Sequence, residues 1–405
     1  MTARFPCPRA PVPATHPANQ PRRIRWMAAV ILFVAVVPSP IHAQQAGRVR
    51  LTSGAEIPGE IIGLSPNGVE VETEGKPRKF AIESVKEVRF DDEPDAVRDA
   101  RGLLLRRDGA AALAALGRIE SGEMDGADRE IRAELAFVTS AATAREALAT
   151  GANLVNAQKA VGDFLAAHPR SHHLYAMQEM LGDLLARQGK PAEAAAAYGL
   201  LEKGPPGIAM RAATLKAALL YRQHDYAEAL RAYEAAARGA GSLPAAAGSE
   251  DSRDPLQRGI DQARAAAVMA VKRDADLGRA RCLTRLGKTG EAITVVRAAL
   301  GDADADDDEA LGRIFNALGD AQRTESEQPP PAQAGERNRD ALISFLTVHL
   351  VHNAAAANDA EALFNLVELW DRANNPERAR AARRTLETTY PDSSWAQRLP
   401  PAKAP

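Results

Sequence analysis

The sequence is poor in cysteine and in aromatic residues, and its charges nearly balance. Two cysteines in 405 residues exclude a fold that several disulfides stabilise. Aromatic residues make up only 4% of the chain, and strands are usually enriched in them, which argues against a mainly β fold. The 51 lysines and arginines are offset by 53 acidic residues, so the composition lacks the positive excess of a nucleic-acid-binding protein.

Alanine is the most abundant residue and accounts for much of the 45% hydrophobic fraction. Because Ala has the highest intrinsic helix propensity, this composition predicts a mainly α protein. Cys282 lies in the helical context Ala-Arg-Cys-Leu, and we interpret it as a buried structural residue rather than a reactive thiol.

The first 43 residues have the organisation of a secretory signal peptide. A basic segment at 22–25 precedes an apolar run at 26–37, and a small-residue boundary ends at Ala43. The run is shorter than the roughly 20 residues that a membrane span needs. The sequence therefore predicts export to the periplasm or cell envelope, with an uncleaved N-terminal membrane anchor as the alternative.

Residues 46–93 change to short, β-rich runs. Turn signals at 53–54, 65–68 and 74–77 mark three of the boundaries between these runs, and the runs together predict five strands in about 45 residues. So many short strands indicate a small, strongly bent β-barrel. Their order resembles an SH3-like or Sm-like barrel. Sm-like relatives bind RNA, but for an exported chain we expect a structural or protein-contact role and no nucleic acid.

From Asp95 onward the pattern is helical and repetitive. The spacing fits the 34-residue tetratricopeptide (TPR) pattern, in which small residues occupy positions 8 and 20, where two helices cross, and an aromatic residue at position 24 fills the gap to the next repeat. The three clearest copies contain Gly182, Ala194 and Tyr198, then Ala217, Ala229 and Tyr233, and then Ala280 and Ala292. Position 20 along the whole array is predicted at Ala112, Ala160, Ala194, Ala229, Ala292, Ala341 and Ala379.

The junctions between these copies resemble those of TPR proteins of the bacterial cell envelope. The segments Ala-Ala-His-Pro-Arg-Ser…Tyr-Ala…Leu-Gly-Asp (166–183) and Thr-Tyr-Pro-Asp-Ser-Ser-Trp-Ala (389–396) carry the resemblance, which covers residues 95–396. It implies an α-solenoid of six or seven helix hairpins. Low-complexity stretches near 239–254 and 325–337 are predicted insertions, and 397–405 a disordered tail.

No residue pattern predicts a catalytic site, a metal site or a cofactor. His349 and His352 are one helical turn apart but lack a third ligand, and we interpret His172-His173 as part of a loop. The acidic run 302–309 resembles the start of a calcium loop but lacks its glycine, so we interpret it as an inter-helix loop that favours a following helix N-terminus.

The concave surface of a TPR solenoid usually binds a peptide or protein. The repeat phase places a basic set of side chains there, which favours an acidic partner. These candidate binding residues are Arg187, Arg211, Tyr221, Arg222, Arg281 and Arg285. The sequence thus predicts an exported, non-enzymatic scaffold or adaptor. The alternatives are a cell-wall or membrane-surface protein anchored through the barrel, or an envelope enzyme whose site lies in the insertions.

Overall fold

The structure, a computed structural model, describes residues 45–120, 122–242, 255–328 and 334–401. It is 68% helical and mainly α, with a small antiparallel sheet at the N-terminal end. The described residues belong to one compact unit. The predicted signal peptide lies outside them, and among them no helix is both long and apolar enough to cross a membrane.

The sheet has five antiparallel strands, as the turn signals predict. Side chains alternate between buried and exposed along the first strand, so the sheet has one apolar face. Its hydrogen-bonded order is β4-β3-β2-β1-β5. The strands are β1 (Gln45–Leu51), β2 (Glu56–Ser65), β3 (Gly68–Thr73), β4 (Lys76–Ala81) and β5 (Val85–Phe90).

The prediction of a closed barrel is wrong, because β4 and β5 do not pair and the sheet stays open. A short 3-10 helix, Ile82–Ser84, separates the two strands and turns the chain between the two edges. The β4 edge has two lysines and a proline, which discourage pairing with a further strand.

Fourteen helices follow in the described residues and form seven pairs, which gives the solenoid that the repeats predict. They are α1 (Asp95–Leu105), α2 (Gly109–Leu116), α3 (Arg129–Thr150), α4 (Leu154–Ala167), α5 (Leu174–Arg187), α6 (Pro191–Leu201), α7 (Pro206–Arg222), α8 (Tyr226–Ser242), α9 (Pro255–Arg285), α10 (Thr289–Gly301), α11 (Asp308–Ser326), α12 (Ala334–Leu350), α13 (Ala356–Arg372) and α14 (Pro376–Thr389).

Six of the seven alanines predicted for position 20 are buried in the second helix of a pair. The exception is Ala160, which is half-buried while Ala157 is fully buried, so the phase predicted for α4 is three residues late. The crossing at Gly182 is as close as predicted, since an added Cβ would overlap the ring of Tyr198. Small residues therefore set the distance between paired helices.

The sheet lies against the first helices of the pairs rather than beside the solenoid. Its buried core of valine, isoleucine, leucine and phenylalanine side chains includes Ile131 of α3 and Ala263 of α9. Thr52 donates a hydrogen bond to the Ala263 carbonyl (2.9 Å), and Tyr175 of α5 donates one to Asn67 (3.3 Å). We call the surface formed by α1, α3, α5, α7, α9, α11 and α13 the first-helix face.

The predicted insertions are shorter than expected in their described parts, because helices extend into both. Helix α8 continues to Ser242, and the helices on either side of the second insertion reach Ser326 and begin again at Ala334. Of the predicted disordered tail, 397–405, the structure describes 397–401, where Leu399 packs on the C-terminal core and Arg383 donates to the Pro400 carbonyl (2.7 Å).

Candidate functional site

A buried group of charged side chains joins the sheet to the first two helix pairs. Arg101 of α1 donates through Nε to Glu134 of α3 (2.9 Å) and through Nη1 to Glu93 (2.9 Å). Its Nη1 also lies 3.6 Å from a carboxylate oxygen of Glu87 on β5. The four side chains are at most 5% exposed. A single guanidinium therefore binds three segments together.

The electrostatics of this group follow from its burial. Burial alone would lower the pKa of Arg101, but Glu134, Glu93 and Glu87 outweigh it and raise that pKa. Burial would likewise raise the pKa of Glu134, but His173 and Arg101 lower it well below its ordinary value. Both side chains are consequently charged at neutral pH.

Two adjacent histidines complete the group on the side of α5. The Nε2 atom of His173 is 2.8 Å from Oε2 of Glu134, and Nε2 of His172 is 3.9 Å from the same oxygen. The His173 ring stacks on Phe137, with 3.4 Å between centroids. His172 is buried, which lowers its pKa to about 3, and its Nε2 has no hydrogen-bond partner among the described residues.

A cavity of about 340 Å³ lies next to this group, between the sheet and helices α1, α3, α5 and α7. Its volume is at the lower end of the range for small-molecule and peptide side-chain pockets. Apolar side chains such as Ile82 and Phe137 contribute to its wall, and so do both histidines and three arginines. We call it the sheet–helix cavity.

Among the three arginines of the cavity wall, Arg145 differs from the other two. Arg101 and Arg211 have carboxylate partners, whereas no carboxylate in the described chain lies within 4 Å of Arg145, and its Nε is buried without a hydrogen bond. Burial lowers the pKa of Arg145 and Arg107 adds to this effect, while more distant carboxylates oppose it. Arg145 is thus a charged group with unused hydrogen-bonding capacity.

A row of alternating charges continues across the first-helix face. Arg211 of α7 donates to Glu179 of α5 (2.5 Å) and to Asp274 of α9 (3.2 Å), and Arg313 of α11 lies 2.7 Å from Asp274. Glu179 raises the pKa of Arg211 despite its burial. We call these four residues the ion-pair ladder.

The six predicted groove residues do not form one site. Only Arg211 contributes to the sheet–helix cavity. Arg285 donates to the Tyr221 hydroxyl (3.2 Å) and lies near Asp320 on α11 (3.7 Å), so these two side chains belong to a second group.

Among the remaining three arginines, Arg281 adjoins the second group, because Glu361 raises its pKa most and Tyr221 and Asp320 raise it further, and the other two have other neighbours. Arg281 faces Glu361 of α13 (3.6 Å), Arg222 interacts with Tyr198, and Arg187 is exposed at the end of α5. The groove that the sequence predicts to be basic thus has acidic side chains from neighbouring first helices beside its arginines.

The other histidine pair is divided between two acids. His349 contacts Asp359 (2.7 Å) and His352 contacts Asp308 (2.8 Å). The acidic run at 302–309 caps a helix as predicted, because the Asp307 side chain accepts from the first turn of α11. Cys282 is fully buried, as predicted, and burial raises its pKa to about 12.

Sequence reasoning missed the buried group around Glu134. His172 and His173 do lie in a loop, but the loop is packed inside the molecule. One signal was present: Glu134 occupies the apolar stripe of α3, three residues after Ile131 and four before Val138. A lone carboxylate in such a stripe indicates a buried charge with a partner elsewhere.

Comparison of the sequence with models of known protein families and with curated proteins gives no match.

Proposed function

We propose that the protein is an exported, non-enzymatic adaptor of the TPR type in the bacterial cell envelope, and that it binds an acidic group of a protein partner in the sheet–helix cavity. The observation that carries the proposal is Arg145, which lies on the wall of a cavity of about 340 Å³ and whose buried Nε has no hydrogen-bond partner among the described residues. A guanidinium is suited to bind a carboxylate through two parallel hydrogen bonds.

The TPR type is supported by the packing of the helix pairs. Besides Gly182, two other glycines lie so close to an aromatic ring that an added Cβ would overlap it: Gly278 against Tyr233 and Gly319 against Phe345. Small residues opposite aromatic ones at helix crossings are the arrangement that the repeat pattern predicts.

The location of the sheet favours an adaptor over a protein anchored through its barrel. Helices α3 and α9 cover the apolar face of the sheet, so that face is not available to a membrane or a cell wall. The sheet instead covers part of the first-helix face, and the sheet–helix cavity between them can hold a side chain or chain terminus of a partner.

The proposal can be tested by crosslinking in the cell envelope, followed by pull-down of the native protein. Arg145→Gln removes the charge that the partner needs, whereas Arg187→Gln removes an exposed arginine of the same face. We expect a partner that is captured by the unmodified protein and by Arg187→Gln and is lost with Arg145→Gln.

A second arm separates the cavity from the outer surface. Replacing the exposed Arg187 and Arg222 together by Glu should leave capture unchanged if the acidic group binds in the cavity. Loss of the partner in that variant, with capture intact in a folded Arg145→Gln protein, would contradict the proposal. The same preparation tests export, because the mature N-terminus is expected at Gln44.

A further inference from the structure

We infer that Glu134, His172 and His173 form a binding site for one divalent transition-metal ion, with zinc as the representative ion. Imidazole nitrogens and a carboxylate oxygen are ligands that zinc takes in proteins. The inference does not rest on the proposed partner, since it concerns metal binding by the isolated chain.

The three side chains already converge on one point. One ligand atom from each lies within 4.8 Å of the other two, and the Nε2 atoms of His173 and His172 are 2.8 and 3.9 Å from Glu134 Oε2. Around a tetrahedral zinc with bonds of about 2.0–2.1 Å, ligand atoms are about 3.3 Å apart. Small side-chain shifts would therefore accommodate the ion.

An unused nitrogen points to a missing partner. His172 is buried, and its Nε2 has no hydrogen-bond partner in the described chain although it faces the Glu134 carboxylate. Buried polar atoms are seldom left unpaired, because removing them from water without a new partner is unfavourable. A metal ion between His172 and Glu134 would supply that partner.

Neighbouring side chains hold two of the three proposed ligands in place, as metal sites require. Arg101 holds Oε1 of Glu134, which leaves Oε2 directed at the histidines, and Phe137 fixes the plane of the His173 ring. Such contacts orient ligands, and losing them commonly weakens metal affinity about 10- to 100-fold.

The charge balance of the buried group also favours a divalent cation. Three buried carboxylates (Glu87, Glu93 and Glu134) face one buried guanidinium, that of Arg101. From the partly exposed rim, Arg89 pairs with Glu87 (2.8 Å) and Arg98 lies 3.7 Å from Glu93, so Glu134 shares Arg101 but has no second arginine in the described chain. A divalent ion would place its charge beside the Glu134 oxygen that Arg101 does not contact.

Three protein ligands leave one position of a tetrahedral ion open. Both histidines contribute to the wall of the sheet–helix cavity, so this position would face the cavity. Water or an anionic group in the cavity could occupy it.

The test uses the untagged full-length mature chain, stripped with a chelator and titrated with Zn²⁺ by calorimetry. We expect one Zn²⁺ per chain. His172→Asn and His173→Asn should each weaken binding by at least about 100-fold, since each removes a direct ligand. His168→Asn is the matched control, because His168 lies on the same connection but stacks on Phe164 outside the cluster; its affinity should not change.

Cobalt(II) provides a readout that needs no variant. Binding of Co²⁺ to the unmodified chain should produce the visible absorption of a four- or five-coordinate ion, and one equivalent of Zn²⁺ should remove it. The inference is overturned if the folded chain binds no stoichiometric Zn²⁺, or if the double variant of His172 and His173 binds it as tightly as the unmodified chain.

Discussion

The two ends of the molecule are held together by different physical means. At the C-terminal end, α12, α13 and α14 share an apolar core built from side chains such as Phe345, Leu363 and Leu366, which are almost completely buried. At the N-terminal end, the apolar face of the sheet packs on Ile131 of α3, and the buried charges of Arg101 and its carboxylates form a second link to α1 and α3. The packing of the last helices is built mainly on apolar side chains, whereas the junction of two different architectures adds directed, charged contacts to an apolar one.

The largest effect is expected from a substitution that breaks the charged contacts between the sheet and the helices. Arg101→Met leaves Glu87, Glu93 and Glu134 buried without their cation, and removing one member of a buried ion pair typically costs about 3–5 kcal/mol. We expect a loss of that order in the free energy of unfolding, measured with urea. Arg118→Met is the control, because the pair it forms with Asp99 is exposed and such pairs contribute less than about 1 kcal/mol. Similar small losses in both variants would show that the junction is not held by charge.

An intermediate effect is expected at a helix crossing. Gly182→Ala places a methyl group into the ring of Tyr198, and overpacking of this kind costs about 1–3 kcal/mol. Gly162→Ala is the same change in the middle of α4, where no described atom lies within 4 Å of the added Cβ. There it should stabilise the chain by about 0.5–1 kcal/mol through helix propensity. Thermal unfolding of the two variants should shift in opposite directions, and equal shifts would contradict the close crossing.

The smallest expected effect depends on pH and lies at the C-terminal end. The hydrogen bond that the His349 ring donates to Asp359 raises the pKa of His349, against the opposing effect of partial burial. A raised pKa means that the folded state holds the proton more tightly, so the stabilisation is full below the ordinary histidine pKa near 6.5 and is lost as pH rises through the folded value.

His349→Gln should therefore lower stability at pH 5.5 by a fraction of 1 kcal/mol and have a smaller effect at pH 8.5. His224→Gln is the control, since His224 is exposed and its hydrogen-bond partner is the hydroxyl of Tyr226, the first residue of α8, rather than a carboxylate. A stability difference between the unmodified chain and His349→Gln that grows with pH would contradict the assignment.

The sequence could predict the solenoid because its information is local. The position-20 alanines Ala194 and Ala229 are 35 residues apart, close to the 34-residue period, and both are buried where the pattern places them. The number of strands was also predictable, because three of the four connections have a Gly, Pro or Asn signal and the β-rich run continues through the fourth, Ile82–Ser84. The open sheet was not predictable. Closure requires hydrogen bonds between the two edge strands, β4 and β5, and their connection through a 3-10 helix does not decide whether these bonds form.

The candidate site was largely beyond the reach of sequence reasoning. Glu134 and His173 are 39 residues apart and meet only when α3 and α5 pack. The basic groove was predicted from single helices, and the acids that face its arginines, such as Asp320 and Glu361, come from other repeats. The net charge of a packed surface depends on several helices together. The sequence of one helix alone therefore overestimates how basic the surface is.

The contact between the sheet and α9 has a consequence for how the chain folds. Thr52 and the Ala263 carbonyl are 211 residues apart, and Arg107, after α1, lies 2.6 Å from Glu309 of α11. A plain repeat array has only neighbour contacts, so it can form or open one unit at a time. Here the sheet connects the first five helix pairs through contacts between residues that are far apart in the sequence. This high contact order makes their folding slower and concerted. Because the ion pair of Arg107 and Glu309 also ties α11 to the first pair, we expect the stepwise opening of an ordinary array only for the last pair, α13 and α14.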